Sequence, residues 1–160
     1  MPGVGKTSIA RGLSEMLDIP HIDIDERIEG DTNMKISDLI RSKGENAFRV
    51  AEKDQLSTIL NQKSAAVISS GGGAVLDSSN RENIIKKSCS IHIRCDIDEI
   101  ADRINIEDRP LLYNTNKKDQ LADIWNERKE FYEKSSKLEV DITGLSIKDS
   151  IKKVYSKIYE

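Results

Sequence analysis

The first seven residues have the composition and spacing of a phosphate-binding loop. Gly3-Val4-Gly5-Lys6-Thr7 matches the end of the pattern G-x-x-x-x-G-K-[ST], in which glycines let successive backbone N–H groups face one anion. Apolar residues then recur at helical spacing between residues 9 and 17, so a helix is predicted directly after the loop. We expect Lys6 to contact the terminal phosphates of a nucleotide and the Thr7 hydroxyl to bind Mg²⁺.

Two carboxylates lie at the end of the next strand-like segment, residues 21–25. Asp23 and Asp25 are separated by one residue. Ligands of α/β proteins bind at the carboxyl ends of strands, where one carboxylate could support Mg²⁺ while the other accepts a proton from a hydroxyl group. The alternative is a pair of solvated acids, and the spacing alone favours that alternative.

Three consecutive glycines, Gly71, Gly72 and Gly73, follow the strand-like segment 65–69. Glycine is suited to places where a ligand approaches the backbone closely, and equally to flexible turns. The sequence leaves both interpretations open.

Two arginines in helical segments are candidate anion-binding groups. Arg49 alone is typical of a surface residue that pairs with Glu45 or Glu52 at helical spacing. Arg128 falls on the apolar face of a helical segment, and a guanidinium on such a face needs an anionic partner. That partner is either a ligand carboxylate or a structural acid.

A further arginine, Arg109, lies in the polar segment 105–118, which lacks helical or strand periodicity. The segment has the length of a mobile lid, and an arginine in a lid could approach a phosphoryl group during its transfer. The alternative is a plain surface loop.

Length and composition indicate one ordinary globular domain, residues 1–160. Charged residues make up 33% and hydrophobic residues 37% of the chain, and the formal net charge is −3. No basic stripe is visible, so nucleic acid is not an expected partner. No apolar segment approaches the ~18 residues of a membrane span, so no membrane partner is expected.

Strand-like and helical segments alternate along the chain, which predicts a parallel sheet covered by helices. The predicted strands are 21–25, 65–69, 90–95 and 138–142. The predicted helices cover 36–61, 79–87, 97–104 and 119–134, with a last helix capped by Ser146. A phosphate loop also requires a strand before it, so a fifth strand is expected upstream of Met1.

Taken together, the motifs resemble those of the shikimate kinases over nearly the whole chain. The matching segments are Gly3-Val4-Gly5-Lys6-Thr7, Asp23-Ile24-Asp25, Phe48-Arg49-Val50-Ala51-Glu52, Gly71-Gly72-Gly73, Arg109-Pro110-Leu111-Leu112, and Arg128 with Tyr132. The resemblance implies an α/β P-loop kinase fold of three layers with a central five-stranded parallel sheet. It also implies substrate-binding helices at about 26–62 and a mobile lid at about 105–118.

The implied reaction is the ATP-dependent phosphorylation of the 3-hydroxyl of shikimate, in chorismate and aromatic amino-acid biosynthesis, by a cytoplasmic monomer. The implied catalytic residues are Lys6, Asp25 and Arg109. ATP would be bound by Gly3, Val4, Gly5, Lys6, Thr7, Ser8, Arg103 and Arg109, with Arg103 stacked on the adenine. Shikimate would be bound by Asp25, Arg49, Gly72, Gly73 and Arg128, and Mg²⁺ by Thr7 and Asp23.

Two other functions are compatible with the motifs. The first is another small-molecule kinase of this architecture, acting on gluconate or a nucleoside monophosphate. The set of Arg49, Arg128 and the three glycines favours a small carboxylated polyol over these acceptors. The second is a non-catalytic nucleotide-binding remnant.

The expected upstream strand is central in this fold, so we expect the chain as written to fold poorly. Our hypothesis is that the natural protein starts about ten residues earlier, since a strand has about that length. A degenerate copy is the alternative.

Overall fold

Four short strands and eight helices alternate within residues 1–104 and 116–160, which this computed structural model describes. The strands are β1 His21–Asp23, β2 Val67–Ser69, β3 Ile91–Arg94 and β4 Leu138–Asp141. The helices are α1 Lys6–Leu17, α2 Ile24–Thr32, α3 Ile36–Lys43, α4 Glu45–Leu60, α5 Ser78–Lys87, α6 Ile97–Arg103, α7 Lys117–Ser135 and α8 Ile147–Ile158. A short 3₁₀ helix, Ala74–Leu76, follows the three glycines.

The strands pair in parallel, as predicted, but form two separate two-stranded sheets. His21 lies opposite Val67 in the sheet of β1 and β2, and Ile91 lies opposite Leu138 in the sheet of β3 and β4. Between β2 and β3 is a slot with a volume of about 500 Å³, lined by both strands and by apolar residues of α1.

Backbone polar groups of β2 and β3 face this slot. The N–H of Val67 donates to Pro20 O at 2.8 Å, away from the slot, and the N–H of Ile142 donates to Arg94 O at 2.8 Å. Because backbone groups of successive strand residues point to opposite sides, those of Ile68 and Ile93 face the slot. The inner edges of both sheets therefore resemble the exposed edges of isolated sheets.

Two helix boundaries differ from the sequence prediction. The segment 21–25 is not all strand, because the Asp23 side chain accepts hydrogen bonds from the N–H groups of Asp25 (2.9 Å) and Glu26 (3.3 Å) and so begins α2. The predicted helix 36–61 is two helices, because Gly44 adopts a φ of +82° and separates α3 from α4.

The apolar residues form two clusters. One lies beneath the phosphate loop and includes Val4, Ile100 and Leu121, all completely buried. The other joins α2 to α4 through Ile24 and Phe48. Most buried members of this second cluster come from residues 24–60, with Ala74 added from the 3₁₀ helix. None of the described helices combines the length and apolar content that a membrane crossing requires.

Hydrogen exchange can test the exposed edges. We expect the amides of Ile68 and Ile93 to exchange faster than those of Val67 and Ile142, because the latter two donate across a strand pair. The measurement is residue-resolved exchange by NMR. Equal protection of all four amides would show that the slot edges are paired in solution.

Candidate active site

The phosphate loop turns at two glycines with left-handed backbones. Gly3 has a φ of +74° and Gly5, directly before α1, a φ of +91°, which residues with side chains rarely adopt. Gly3 also lies so close to the Ile104 side chain that an added Cβ would overlap it. Lys6 Nζ donates to Met1 O at 2.6 Å, which holds the lysine across the loop. The loop residues are thus gathered at the N-terminus of a helix, where anions bind favourably.

The other two predicted loop residues have different surroundings. Val4 is completely buried in the core, so only its backbone can contact a phosphate. Ser8 is exposed in the first turn of α1.

Asp23 links the phosphate loop to β2. Its Oδ2 accepts hydrogen bonds from the Thr7 hydroxyl at 2.9 Å and from the Ser69 hydroxyl at 2.7 Å. Partial burial raises the pKa of Asp23, but the hydrogen bonds from Ser69 and Thr7 outweigh it, and the pKa lies below its ordinary value. The carboxylate is therefore ionised at neutral pH.

A hydroxyl and an ionised carboxylate in contact beside a phosphate loop fit the oxygen ligands that Mg²⁺ prefers. Within the described residues, no group of three or more His, Cys, Asp or Glu side chains could hold a metal ion. An ion held by Thr7 and Asp23 would therefore depend on phosphate oxygens and water for its other ligands.

Arg49 pairs with both glutamates that the sequence offered. Its Nη1 lies 2.7 Å from Glu52 Oε2 and its Nη2 lies 3.0 Å from Glu45 Oε1. The Glu52 side chain is only 1% exposed, and burial raises its pKa although Arg49 opposes the shift. These bonds hold the guanidinium in a partly buried position at the edge of α4.

The three glycines lie against the side chains of this half of the site. A Cβ on Gly71 would lie 2.6 Å from Glu52 Oε1 and 3.6 Å from Asp25 Oδ1. A Cβ on Gly73 would overlap the Arg49 guanidinium. Close approach, not only flexibility, therefore explains the glycines, and they bring Asp25 and Arg49 to one loop.

Arg128 is directed inward on α7, with its side chain 14% exposed. Its Nε is buried and has no hydrogen-bond partner among the described residues. Glu127 Oε2 lies 3.7 Å from this nitrogen, within ion-pair distance, and the Glu127 side chain is exposed. A buried guanidinium N–H without a hydrogen-bond acceptor can donate to an anionic ligand.

Two further predicted residues are not placed in this group. Arg103 pairs with Glu99, and its Nη1 lies 4.0 Å from Cys95 Sγ, so its described contacts are not with other predicted site residues. Arg109 lies outside the described residues. The helix predicted to begin at residue 119 begins at Lys117, because Asn116 caps α7.

Ser69 was not predicted to belong to the site, whereas Glu52 was predicted as a partner of Arg49. Ser69 donates to the same Asp23 oxygen as Thr7, which only the pairing of β1 with β2 reveals. Glu52 lies three residues after Arg49, and this helical spacing predicted the ion pair that the structure contains.

The family model described as shikimate kinase matches residues 2–159. The chain belongs to the shikimate kinase family. The shikimate kinase of Bacillus subtilis is 34% identical over 142 residues, which cover 87% of this chain and 76% of that protein. The bifunctional shikimate kinase/3-dehydroquinate synthase of Thermotoga maritima is 35% identical over 132 residues, or 82% of this chain, but these span only 26% of that longer protein.

A solved structure agrees with the sequence comparison. Shikimate kinase from Acinetobacter baumannii in complex with shikimate superposes with a TM-score of 0.93 at 26% identity, covering 98% of this chain and 88% of that one. The α/β P-loop kinase fold expected from the motifs is confirmed.

Variants of Asp23 separate its capping role from metal binding. Asp23→Ala should lose about 1 kcal/mol of unfolding free energy because the cap of α2 is removed, whereas Asp23→Asn should remain close to the original. Both should weaken the effect of Mg²⁺ on ATP affinity, because each removes the charge. Urea unfolding and ATP titrations with and without Mg²⁺ measure the two effects.

Asp38→Asn, which alters an exposed carboxylate of α3, is the matched control. An Asp23→Asn protein with the full Mg²⁺ effect would exclude Asp23 from the metal site.

Proposed function

We propose that this chain transfers the terminal phosphoryl group of ATP to the 3-hydroxyl of shikimate, giving shikimate 3-phosphate and ADP. The observation that carries the proposal is the inward guanidinium of Arg128, whose charge acts on the buried Glu52. Glu52 in turn pairs with Arg49 and lies against the glycine loop. Gly72 in turn lies against the backbone of Met1 and Pro2, at the start of the phosphate loop. A site for a carboxylate therefore adjoins a site for nucleotide phosphates.

Arg49 and Arg128 bind the shikimate carboxylate in this proposal. Guanidinium groups are suited to planar carboxylates because two N–H groups can donate in parallel. Glu45 and Glu52 hold Arg49 in place before substrate arrives, so less conformational entropy is lost on binding. The buried Nε of Arg128, which has no hydrogen-bond partner among the described residues, gains a charged acceptor for its N–H group.

Asp25 orients the acceptor hydroxyl and takes its proton. It lies in the first turn of α2, where its own N–H is fixed by the Asp23 carboxylate at 2.9 Å. Phosphoryl transfer requires little covalent chemistry from the protein, so positioning and charge neutralisation dominate. Lys6 supplies positive charge at the phosphates, and bound Mg²⁺ would supply more through Thr7 and Asp23.

In this proposal Arg109 contacts the transferred phosphoryl group, and Arg103 contacts the adenine. The monomeric state, the absence of a nucleic-acid partner and the cytoplasmic location also remain predictions.

An ADP-release assay with a panel of acceptors tests the proposed function. With Mg²⁺ and ATP, we expect ADP release above the acceptor-free background with shikimate and not with gluconate or AMP. ADP release with gluconate or AMP, but not with shikimate, would show that shikimate is not the acceptor. A folded protein that binds ATP but releases no ADP with any acceptor would favour the non-catalytic alternative.

Replacing either arginine should weaken the binding of shikimate but not the binding of ATP. For Arg49→Ala and Arg128→Ala we expect the shikimate KM to rise about tenfold or more, because a charged hydrogen bond contributes ~1.5–3 kcal/mol. The ATP KM should stay within about twofold. Arg41→Ala is the control, since Arg41 is an exposed arginine of α3 that pairs with Asp38. An unchanged shikimate KM in either variant would exclude that arginine from the site.

A methyl group on the glycine loop should have a similar effect. In Gly73→Ala the new Cβ displaces the Arg49 guanidinium, so the shikimate KM should rise several-fold. Gly30→Ala is the matched control, because a Cβ there has no neighbour within 4 Å. Steady-state kinetics compare the two. Equal shikimate KM values in both variants would show that the close approach of Gly73 to Arg49 does not affect the site.

A further inference from the structure

Tyr132 connects α7 to the glycine loop through a short hydrogen bond. Its hydroxyl donates to Gly72 O at 2.6 Å. The residue is only 6% exposed, and its ring lies nearly parallel to that of His92, with the centroids 5.1 Å apart. A tyrosine packed in this way has little freedom, so its hydroxyl is a fixed donor.

The bond falls on a peptide unit that would otherwise be unusually free. The peptide between Gly72 and Gly73 has no side chain on either flank, so its plane can rotate with little steric hindrance. Its C=O and N–H point in opposite directions because the peptide is trans. A donor that fixes Gly72 O therefore also fixes the direction of the Gly73 N–H.

The same tyrosine lies one helical turn after Arg128. Burial raises the pKa of Tyr132, while the charge of Arg128 and a hydrogen bond with Arg128 oppose this shift. The hydroxyl that bonds to Gly72 O therefore belongs to the same face of α7 as the guanidinium proposed to bind the carboxylate. Gly73 lies on the other side, against Arg49.

A second contact holds α7 to the chain just after the glycines. The Arg81 guanidinium lies 4.4 Å from the centroid of the Phe131 ring and donates to Val75 O and Leu76 O. These contacts hold the chain just after the glycine loop, whereas the peptide between Gly72 and Gly73 is held by Tyr132.

We propose that Tyr132 is a positioning residue that fixes the peptide plane between Gly72 and Gly73, so that the Gly73 N–H faces the bound acceptor beside Arg49. The change in kinetics that we expect from this inference rests on the proposed function. Its structural part, the anchoring of the peptide, is independent of turnover.

Tyr132→Phe tests the inference because it removes the hydroxyl and keeps the ring. We expect the shikimate KM to rise roughly two- to tenfold, the effect of one net hydrogen bond, with kcat and the ATP KM within about twofold. Tyr155→Phe, on α8, is the matched control and should leave all three values unchanged. NMR relaxation dispersion should show new exchange broadening at the Gly73 amide in Tyr132→Phe only.

The two measurements separate the possible failures. If the unmodified protein releases no ADP with shikimate, the proposed function fails, and broadening at Gly73 still supports the anchoring. An unbroadened Gly73 amide in Tyr132→Phe would overturn the inference. A rise of similar size in the shikimate KM and the ATP KM, together with a lower kcat and a lower thermal stability, would also overturn the inference. Such changes would indicate a general structural role for Tyr132.

Discussion

Three consecutive residues without side chains determine how the two halves of this site meet. Gly71 lies against Glu52, Gly72 against Tyr132 and the phosphate loop, and Gly73 against Arg49. A side chain at Gly71 or Gly73 would have to displace a group of the site, and one at Gly72 would be in tight contact with Tyr132, so glycine permits the close approach of the loop to α4 and α7. This close packing places Arg49 and Tyr132 beside the start of the phosphate loop.

Two acids orient the functional groups on either side of the loop, in opposite electrostatic settings. Asp23 is stabilised as an anion by hydroxyl and backbone donors, and it holds Thr7 and the first turn of α2. Glu52 is buried, so its negative charge depends on Arg49. Removing one partner of such a buried pair leaves an uncompensated charge, which is more destabilising than the pair is stabilising. Each half of the site is thus fixed before its ligand binds.

Local signals explain what the sequence predicted. The phosphate loop, the strand–helix alternation and the four strands follow from glycine spacing and hydrophobic periodicity, which act over a few residues. The start of α2 was missed because it depends on the Asp23 side chain, and the break at Gly44 because a single glycine is also tolerated within helices.

Features that depend on contacts distant in the sequence could not be predicted. The hydrogen bond from Ser69 to Asp23 requires the pairing of β1 with β2. The inward position of Arg128 was predicted from its helical face, but only the structure shows that its Nε has no hydrogen-bond partner among the described residues.

A crystal structure of the protein with shikimate and ADP would test the central claim most directly. The account predicts that the shikimate carboxylate lies within hydrogen-bond distance of Arg49 and Arg128, with its 3-hydroxyl at Asp25. A carboxylate bound at the phosphate loop, or a ring placed away from the three glycines, would contradict it.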